Sequence, residues 1–417
     1  MNPNIYYYNP TCELAVANGS ENFQATALLR KFEYDLDILP AILGLPNDII
    51  LVQKMPFQQF KDELINAGFE ISKPLLLNVS LDDPSFVAIP KGFLSPWGWS
   101  PAVHKLLAPL KPSCSDKLHQ SPIAQWKSVH RELYSRKQGC ELLKTIVTNS
   151  DYNWMLPSEE LPVICTTHHE IIDLQNRWGR VVVKSPWSSS GRGLQILYQG
   201  EYNQSNRQVI SGFLNQQKYV VVSPWHNKKF DFSLQFFSNG DGSIEFRGLS
   251  SFITDKSGRY VGSYIEEIPG NLNQGVKDFL EEHVDAIQQL LFKALTESPY
   301  STEYYGWIGV DLIVYDSEGF GNLRSQEQLM IHPCLEVNCR YTMGSISLAL
   351  RDHLTEGSSG IFQIKYGKEG QFMSFCEEMK DKEPLLVRNE KIIKGFLPLT
   401  PPLADSLFGA YVNVYDH

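Results

Sequence analysis

Short apolar runs alternate with helix-like segments in the first part of the chain. Three runs of apolar and aromatic side chains have the length of strands: residues 5–8, 49–52 and 75–77. Two segments between them have apolar residues at helical spacing: residues 60–68, and a stretch with Ala25, Leu28, Leu29, Phe32 and Leu36. Such alternation is typical of a parallel sheet covered by helices. The pattern predicts a small parallel α/β unit, and we end this first domain at residue 118.

The chain becomes rich in strands from Arg180 onward. Apolar and alternating runs predict strands at residues 181–183, 195–197, 219–222, 232–236, 244–246, 309–314 and 330–337. Helical patterns cover residues 122–144 and 276–295. Residues 84–101 are rich in Pro, Gly and Trp, which predicts an irregular segment that serves as a boundary or as a substrate loop. The whole chain is therefore predicted to be α/β mixed with α+β.

Composition and charge exclude several classes of protein. The chain has 417 residues, 42% of them hydrophobic, and a net charge of −10, which argues against a general nucleic-acid binder. No signal peptide or membrane span is apparent. The seven cysteines are scattered and never spaced as C-x-x-C, so we expect reduced thiols in a cytoplasmic protein.

The first chemical signal is a strand that ends in a lysine and leads into a loop of small residues. Residues 181–193 read VVVKSPWSSSGRG, with Lys184 at the end of the strand. Small residues let backbone N–H groups approach phosphate oxygens, and the lysine can balance their charge. The order differs from the P-loop motif. A β-hairpin with a flexible Ser/Gly turn explains the pattern equally well.

The second signal is a pair of strands that carry acids and an amide. Asp311 lies in a G-V-D-L-I-V run, and Glu336 and Asn338 lie two residues apart in L-E-V-N-C-R. Residues two apart on a strand share a face, and Mg²⁺ prefers such oxygen ligands. Arg340 continues the alternation and could face a reacting oxyanion. The alternative is a solvated strand face with a surface ion pair.

Together the two signals resemble the ATP-grasp superfamily over roughly residues 120–350. There, a strand lysine and a Gly/Ser loop close over ATP phosphates, and a G-x-D strand and an E-x-N strand hold Mg²⁺. Arg340 resembles the arginine of members that read E-x-N-P-R, although Cys339 replaces the proline. The resemblance implies two α+β subdomains that clasp ATP within residues 119–352, completed by residues 353–417.

The resemblance also implies further positions. Lys137 takes the place of an earlier phosphate-binding lysine, with a surface lysine as the alternative. The backbone of Val222, Ser223 and Trp225 takes the place of the adenine hinge, but the glutamate that usually follows is absent; Trp225 is equally well explained as a core residue. Asp231 takes the place of an acidic residue near the ribose. Arg247 takes the place of a basic residue near the γ-phosphate, again with a surface role as the alternative.

The implied activity is an ADP-forming carboxylate–amine ligase that uses ATP and Mg²⁺, with Mn²⁺ as an alternative metal. Lys184, Arg247 and Arg340 would be catalytic, and the loop would bind phosphate through Ser188, Ser189, Ser190, Gly191 and Gly193. Its partners would be small-molecule or peptide carboxylates and amines, and a homodimer is left open. A small-molecule kinase and a non-catalytic ATP-binding protein are the alternatives.

Substrate contacts lie outside these motifs. Residues 9–13 and 96–99 are candidate substrate loops, although a turn and a packed aromatic cluster explain them more simply. Residues 315–329 are predicted to form an exposed hairpin loop with no assigned role.

Overall fold

A computed structural model describes residues 2–188, 193–317 and 328–415. The strands of these ranges form three sheets, of four, four and nine strands. Ser189, Ser190 and Gly191 of the predicted phosphate loop, and most of the insertion before Leu329, lie outside the described residues.

The N-terminal domain is built on a parallel sheet with strand order β3-β2-β1-β4. Its strands are β1 Ile5–Tyr7, β2 Ile49–Val52, β3 Lys73–Leu76 and β4 Leu94–Pro96. The helices around it are α1 Cys12–Asn18, α2 Ala27–Asp35, α3 Gln58–Asn66, α4 Leu77–Asp82, α5 Pro84–Ala88 and α6 Pro101–Leu106, with 3₁₀ turns Leu39–Ile42 and Ala108–Ser113. The predicted parallel unit is confirmed. The prediction of an irregular segment at residues 84–101 is corrected, since this segment contains α5 and also β4, whose backbone bonds are supplied by parallel pairing with β1.

A helical connection leads to a small antiparallel sheet with order β5-β8-β6-β7. The connection comprises α7 Asp116–Gln120, the 3₁₀ turn Pro122–Ala124, α8 Ser128–Leu133, α9 Arg136–Thr148 and the 3₁₀ turn Ser158–Glu160. The sheet and its helices are β5 Val163–Cys165, α10 His168–Trp178, β6 Val181–Lys184, β7 Leu194–Leu197, α11 Gln204–Gln217 and β8 Val220–Pro224.

The remaining chain forms one antiparallel sheet with order β13-β12-β9-β10-β11-β14-β17-β16-β15. Its strands are β9 Asn227–Ser238, β10 Ile244–Thr254, β11 Tyr260–Tyr264, β12 Gly306–Asp316, β13 Leu329–Asn338, β14 Ser359–Tyr366, β15 Leu386–Arg388, β16 Lys391–Pro398 and β17 Phe408–Tyr415. Its helices are α12 Gln274–Thr296, α13 Pro299–Thr302, α14 Met343–Arg351 and α15 Gln371–Lys382. The C-terminal segment therefore extends the sheet that carries the second motif.

Strand β9 shows how the sheet separates core from cleft. Phe232, Leu234 and Phe236 alternate along it and are fully buried, and α12 packs against this strand and its neighbours. Ser233 and Gln235 point to the opposite face, because successive residues of a strand point to opposite sides. Apolar burial on one face thus holds a row of polar side chains in place on the other.

The predicted fold class, a parallel α/β domain followed by two α+β subdomains, is confirmed. Strands β14 to β17 are an addition, because residues 340–417 had given no strand prediction. The seven cysteines are free thiols. None of the helices in the described part of the chain has the length and apolar character needed to cross a bilayer.

Candidate active site

The two predicted metal strands are neighbours in the large sheet. Asp311 on β12 pairs in register with Glu336 on β13, and with Ser233 of β9 on its other side. Asn338 lies two residues beyond Glu336, and its Nδ2 donates a hydrogen bond to Asp311 Oδ2 at 3.1 Å. The structure therefore brings Asp311, Glu336 and Asn338 together on one face of the sheet.

The electrostatics of this group suit a divalent cation. Burial, reinforced by the neighbouring charge of Glu336, raises the pKa of Asp311 to about 7. Arg340 and hydrogen bonds from Asn338 and Ser233 act in the opposite direction. Two adjacent carboxylates and an amide oxygen are hard donors, and a small dication would relieve their repulsion. The described residues contain no group of three His, Cys, Asp or Glu that could hold a metal, so phosphate and water oxygens would have to complete the shell.

Arg340 is held by three residues, two of them close to it in the sequence and one in the N-terminal domain. Its Nη2 donates to Asn338 Oδ1 at 2.9 Å and its Nη1 to the Tyr341 carbonyl at 3.1 Å. Its Nε donates at 2.9 Å to Oε1 of Glu13, a buried residue of α1. Burial raises the pKa of Glu13, and Arg340 opposes that shift. The guanidinium therefore ties the N-terminal domain to a candidate metal ligand.

Arg136, the first residue of α9, joins the two motifs and was missed in the sequence analysis. Its Nη1 donates to the Ser185 carbonyl and to Ser188 Oγ, both at 2.6 Å. Its Nη2 forms an ion pair with Glu336 Oε1 at 2.7 Å. The guanidinium is buried between the Ser/Gly loop and the metal strands.

The assignment of Lys137 needs correction. Lys137 is exposed and forms no ion pair with another residue of the described ranges. The adjacent Arg136 enters the site instead, because neighbouring residues of a helix point about 100° apart. Ser135 caps the helix by accepting from Gln138 N at 3.4 Å, which sets Arg136 as its first residue but does not determine which residue faces the site.

Lys184 lies at the end of β6, where the two motifs meet. Burial lowers the pKa of Lys184, as does the nearby charge of Arg136, while Glu336 raises it. Lys184 forms no ion pair within the described ranges. A half-buried ammonium beside a second cation provides a favourable position for an anion such as phosphate.

The base of the Ser/Gly loop is closed by one backbone bond. Ser185 N donates to the Gly193 carbonyl at 2.9 Å. Gly193 has φ +72°, a conformation that other residues rarely adopt, and a Cβ there would lie 2.2 Å from Ser185 Oγ. Both the backbone conformation and the lack of space therefore favour glycine. Ser188 is buried against Arg136.

The predicted adenine hinge is only partly available. Val222 and Ser223 lie buried in β8. The backbone N–H of Trp225 donates to the Arg180 carbonyl at 2.9 Å, and its carbonyl accepts from Arg180 Nε at 3.1 Å. The N–H of Trp225 is therefore already used within the protein, and its assignment as an adenine donor is corrected.

His226 follows the hinge and was not predicted as a site residue. Its ring lies 4.1 Å from the ring of Tyr315. Burial lowers the pKa of His226 to about 3, helped by the charges of Lys184 and Arg180. The imidazole is therefore neutral at ordinary pH.

Asp231 and Arg247 lie on either side of the central group. Asp231 shares a face of β9 with Ser233, and its Oδ2 accepts from Lys228 Nζ at 2.5 Å and Thr254 Oγ1 at 2.8 Å. Arg247 is an exposed residue at the bulge of β10. Its guanidinium pairs with Glu245 at 2.8 Å. The structure thus gives Arg247 the surface role and does not join it to Asp311.

A cleft of about 550 Å³ opens beside Asp311, Glu336 and Asn338. Both candidate substrate loops contribute to it, through Pro10, Thr11 and Trp97. Tyr341 N donates to the Trp97 carbonyl at 2.9 Å, which fixes the second loop beside Arg340. The hairpin of β10 and β11 forms a further wall through Ser250, Phe252, Thr254, Gly258, Arg259, Tyr260, Val261 and Ser263.

No protein-family model matches the chain, and no curated protein matches its sequence. Solved structures do match it. N5-carboxyaminoimidazole synthetase from Staphylococcus aureus complexed with ADP has a TM-score of 0.47 at 11% identity, covering 100% of this chain and 94% of that one. Biotin carboxylase from Campylobacter jejuni, in a beta-gamma-ATP complex, has a TM-score of 0.46 at 12% identity, covering 100% and 88%. D-alanyl-alanine synthetase A from Vibrio cholerae has a TM-score of 0.36 at 12% identity, covering 63% and 71%.

The first two of these matches span the full length of the chain, and all three are at low sequence identity. At such TM-scores and identities, the matches say nothing about the reaction, which has to be argued from the chain's own side chains.

Proposed function

We propose that this chain is an ATP-grasp ligase that uses MgATP to activate a carboxylate as an acyl phosphate and joins it to an amine. The observation that carries the proposal is the position of Arg136. It contacts Ser188 of the Ser/Gly loop and Glu336 of the metal strands at once. Two motifs that are distant in the sequence thereby form one cationic and one anionic half of a single site. A homodimer and a cytoplasmic location stay predictions.

The cationic half would bind the ATP phosphates. The buried Arg136 and the half-buried Lys184 supply two positive charges, and Ser188 adds a hydroxyl beside them. Ser189, Ser190, Gly191 and Gly193 of the same loop are proposed to add backbone N–H groups. Charge neutralisation and positioning are the main contributions that a protein makes to phosphoryl transfer.

The anionic half would hold the metal. Asp311, Glu336 and Asn338 fit Mg²⁺, with Mn²⁺ as the alternative, since all three offer oxygen donors on one face. When bound, the metal would neutralise phosphate charge. Asn338 Oδ1 now accepts from Arg340 and has a second lone pair for a cation.

The reaction would proceed in two displacements. A carboxylate oxygen attacks the γ-phosphorus, the bond to the β-phosphate oxygen breaks, and ADP leaves. An amine nitrogen then attacks the acyl carbon, phosphate leaves, and the nitrogen loses a proton to water. Arg340 lies beside the metal strands, where its guanidinium would stabilise the oxyanion of the second step, an effect of about 3 kcal/mol for one well-placed donor.

The part of the site that would bind adenine and ribose is supported by fewer contacts than the phosphate and metal parts. Val222 is paired with β5 on one side and β6 on the other, so the backbone contact with adenine is proposed at Ser223, which pairs with β6 beyond the end of β5. The neutral His226 follows three residues later. Asp231, held by Lys228 and Thr254, would accept from ribose hydroxyls. Trp225 would contribute its ring rather than its backbone N–H.

Carboxylate- and amine-dependent ADP release by the full chain tests the proposal. Lys184→Met and Glu336→Gln should each lower ADP release at least about a hundredfold, the range for removal of a group that stabilises transition-state charge. Lys144→Met, at an exposed position of α9, is the matched control and should keep its rate. The product should be an amide. A stable phosphorylated product would indicate the kinase instead, and full turnover by folded Lys184→Met would refute the assignment of the site.

A further inference from the structure

The cleft beside Asp311 has two unlike walls. Near the metal strands the wall is polar, with Ser233 and Gln235 beside Asp311, Glu336 and Asn338. A second part of the lining is apolar and comes from α2 and from β14 and β17, which β9, β10 and β11 separate from the metal strands in the sheet. Its members are Leu28, Leu29, Phe32, Ile364, Tyr366 and Phe408, here called the apolar wall.

Ring contacts organise the apolar wall. Phe32 and Phe408 meet edge to face with ring centroids 5.0 Å apart, and Tyr366 stacks on Phe408 at 4.8 Å. The wall nevertheless leaves large side chains uncovered: Leu28 is 46% exposed and Tyr366 is 63% exposed. A ligand that covers this apolar surface removes it from water, which favours binding.

Two arginines line the cleft, and only one of them is paired with an acidic side chain of the described residues. Arg340 is paired with Glu13. Arg259, on the turn between β10 and β11, lines the same cleft and forms no ion pair within the described part of the chain. Its guanidinium can therefore attract a carboxylate to the cleft without breaking an existing pair.

From these two walls we infer that the acid substrate is a monocarboxylate with an aliphatic or aromatic body. Its carboxylate lies at the end with Asp311 and Glu336, and its body covers the apolar wall. A cleft of about 550 Å³ suits such a compound. This inference rests on the proposed function, since it names the substrate of the same site.

Hydroxylamine trapping tests the inference with the full chain and MgATP. A carboxylate oxygen takes the γ-phosphoryl group from ATP and ADP leaves. The hydroxylamine nitrogen then attacks the acyl carbon, phosphate leaves, and the nitrogen loses a proton to water, so that a hydroxamate forms. The probes are two apolar acids, hexanoate and leucine, and two polar acids, succinate and aspartate, so that each class is tried with and without an α-amino group. At least one apolar acid should give a kcat/KM at least tenfold above both polar acids.

Two exposed leucines provide a matched pair of variants. Leu28→Glu places a charge on the apolar wall and should lower kcat/KM for the preferred apolar acid at least tenfold, with little change for the polar acids. Leu386→Glu makes the same change at a position that is 45% exposed and outside this cleft, and should behave as the unchanged protein. Arg259→Gln should lower the use of all four acids alike.

Binding of a fluorescent ATP analogue with Mg²⁺ separates this inference from the proposed function. Binding together with hydroxamate from succinate or aspartate only, or from all four acids equally, would overturn the apolar substrate and leave the ligase standing. An unaltered acid preference in Leu28→Glu would also overturn it. Binding without hydroxamate from any acid would overturn both carboxylate activation and the inference, and absence of binding would remove the ATP site itself.

Discussion

Glu13 and Arg340 form a partly buried ion pair at 2.9 Å, although they lie 327 positions apart in the chain. Arg340 Nη2 reaches on to Asn338 Oδ1. The N-terminal domain thus sets the orientation of a guanidinium that in turn holds a candidate metal ligand. Glu13 is in this sense a positioning residue for the proposed reaction.

Replacement of Glu13 should therefore affect turnover more than nucleotide binding. We expect Glu13→Gln to lower kcat about ten- to a hundredfold, with the KM for ATP changed less than threefold, because Arg340 loses its charged partner while Lys184 and Arg136 stay in place. Steady-state ADP release measures both quantities. Glu63→Gln is the control, since it breaks the surface pair with Lys380 at 2.6 Å. An equal rise in the KM for ATP would show that Glu13 acts on the nucleotide instead.

Arg136 and Lys137 are adjacent, but only the first enters the site. Arg136→Lys should lower ADP release at least about a hundredfold, because a lysine cannot hold Ser188 and Glu336 in one fork. Lys137→Ala should stay within twofold of the unchanged protein. The two rates, measured at saturating ATP, decide between the positions. A larger loss of ADP release in Lys137→Ala than in Arg136→Lys would restore Lys137 as the phosphate-binding residue.

The ionised carboxylate of Asp311, a proposed metal ligand, should lower the free energy of unfolding of the metal-free protein. Because the folded protein holds its pKa at about 7, above the unfolded value near 4, the folded state binds more protons between about pH 4 and 7. Stability of the metal-free protein therefore falls as pH rises through that window. Asp311→Asn should remove this contribution and raise the free energy of unfolding at pH 8 by up to about 4 kcal/mol, since the pKa difference of about three units corresponds to about 1.4 kcal/mol for each unit, with loss of Mg²⁺-dependent ADP release.

Urea unfolding at pH 5 and pH 8 in EDTA measures the effect. The gain of the asparagine variant should be larger at pH 8 than at pH 5. If Asp311→Asn instead lowers the free energy of unfolding at pH 8, the neighbouring residues already offset the cost of the ionised Asp311 carboxylate in the folded protein.

A side chain at Gly193 should lower stability and weaken ATP binding. Gly193→Ala combines an unfavourable φ with a clash against Ser185 Oγ, and should cost about 1–3 kcal/mol locally and raise the KM for ATP. Gly200→Ala is a close control, because Gly200 has φ +78° but open space around its Cβ position. Stability and the KM for ATP should be compared in both. Equal behaviour of the two variants would mean that backbone strain alone, rather than the contact with Ser185, matters.

Local patterns in the sequence were sufficient for much of this protein. The E-x-N spacing placed Glu336 and Asn338 on one face of a strand before any pairing was known, and the register of β12 with β13 then added Asp311 to that face. The apolar run at residues 181–183, followed by Lys184, likewise predicted a buried strand with a charged residue at its end. Parallel pairing of the first three strands followed from the helices between them.

The relationships between distant segments were decided by the tertiary structure alone. A helix of the N-terminal half directs Arg136 rather than Lys137 inward, and only packing against β13 shows which of two adjacent residues faces the site. Glu13 meets Arg340, and α2 meets β17, through contacts that leave no periodic signal in the sequence. Spacing along a strand is fixed by local geometry, whereas the partner of a buried charge depends on which surfaces the whole chain brings together.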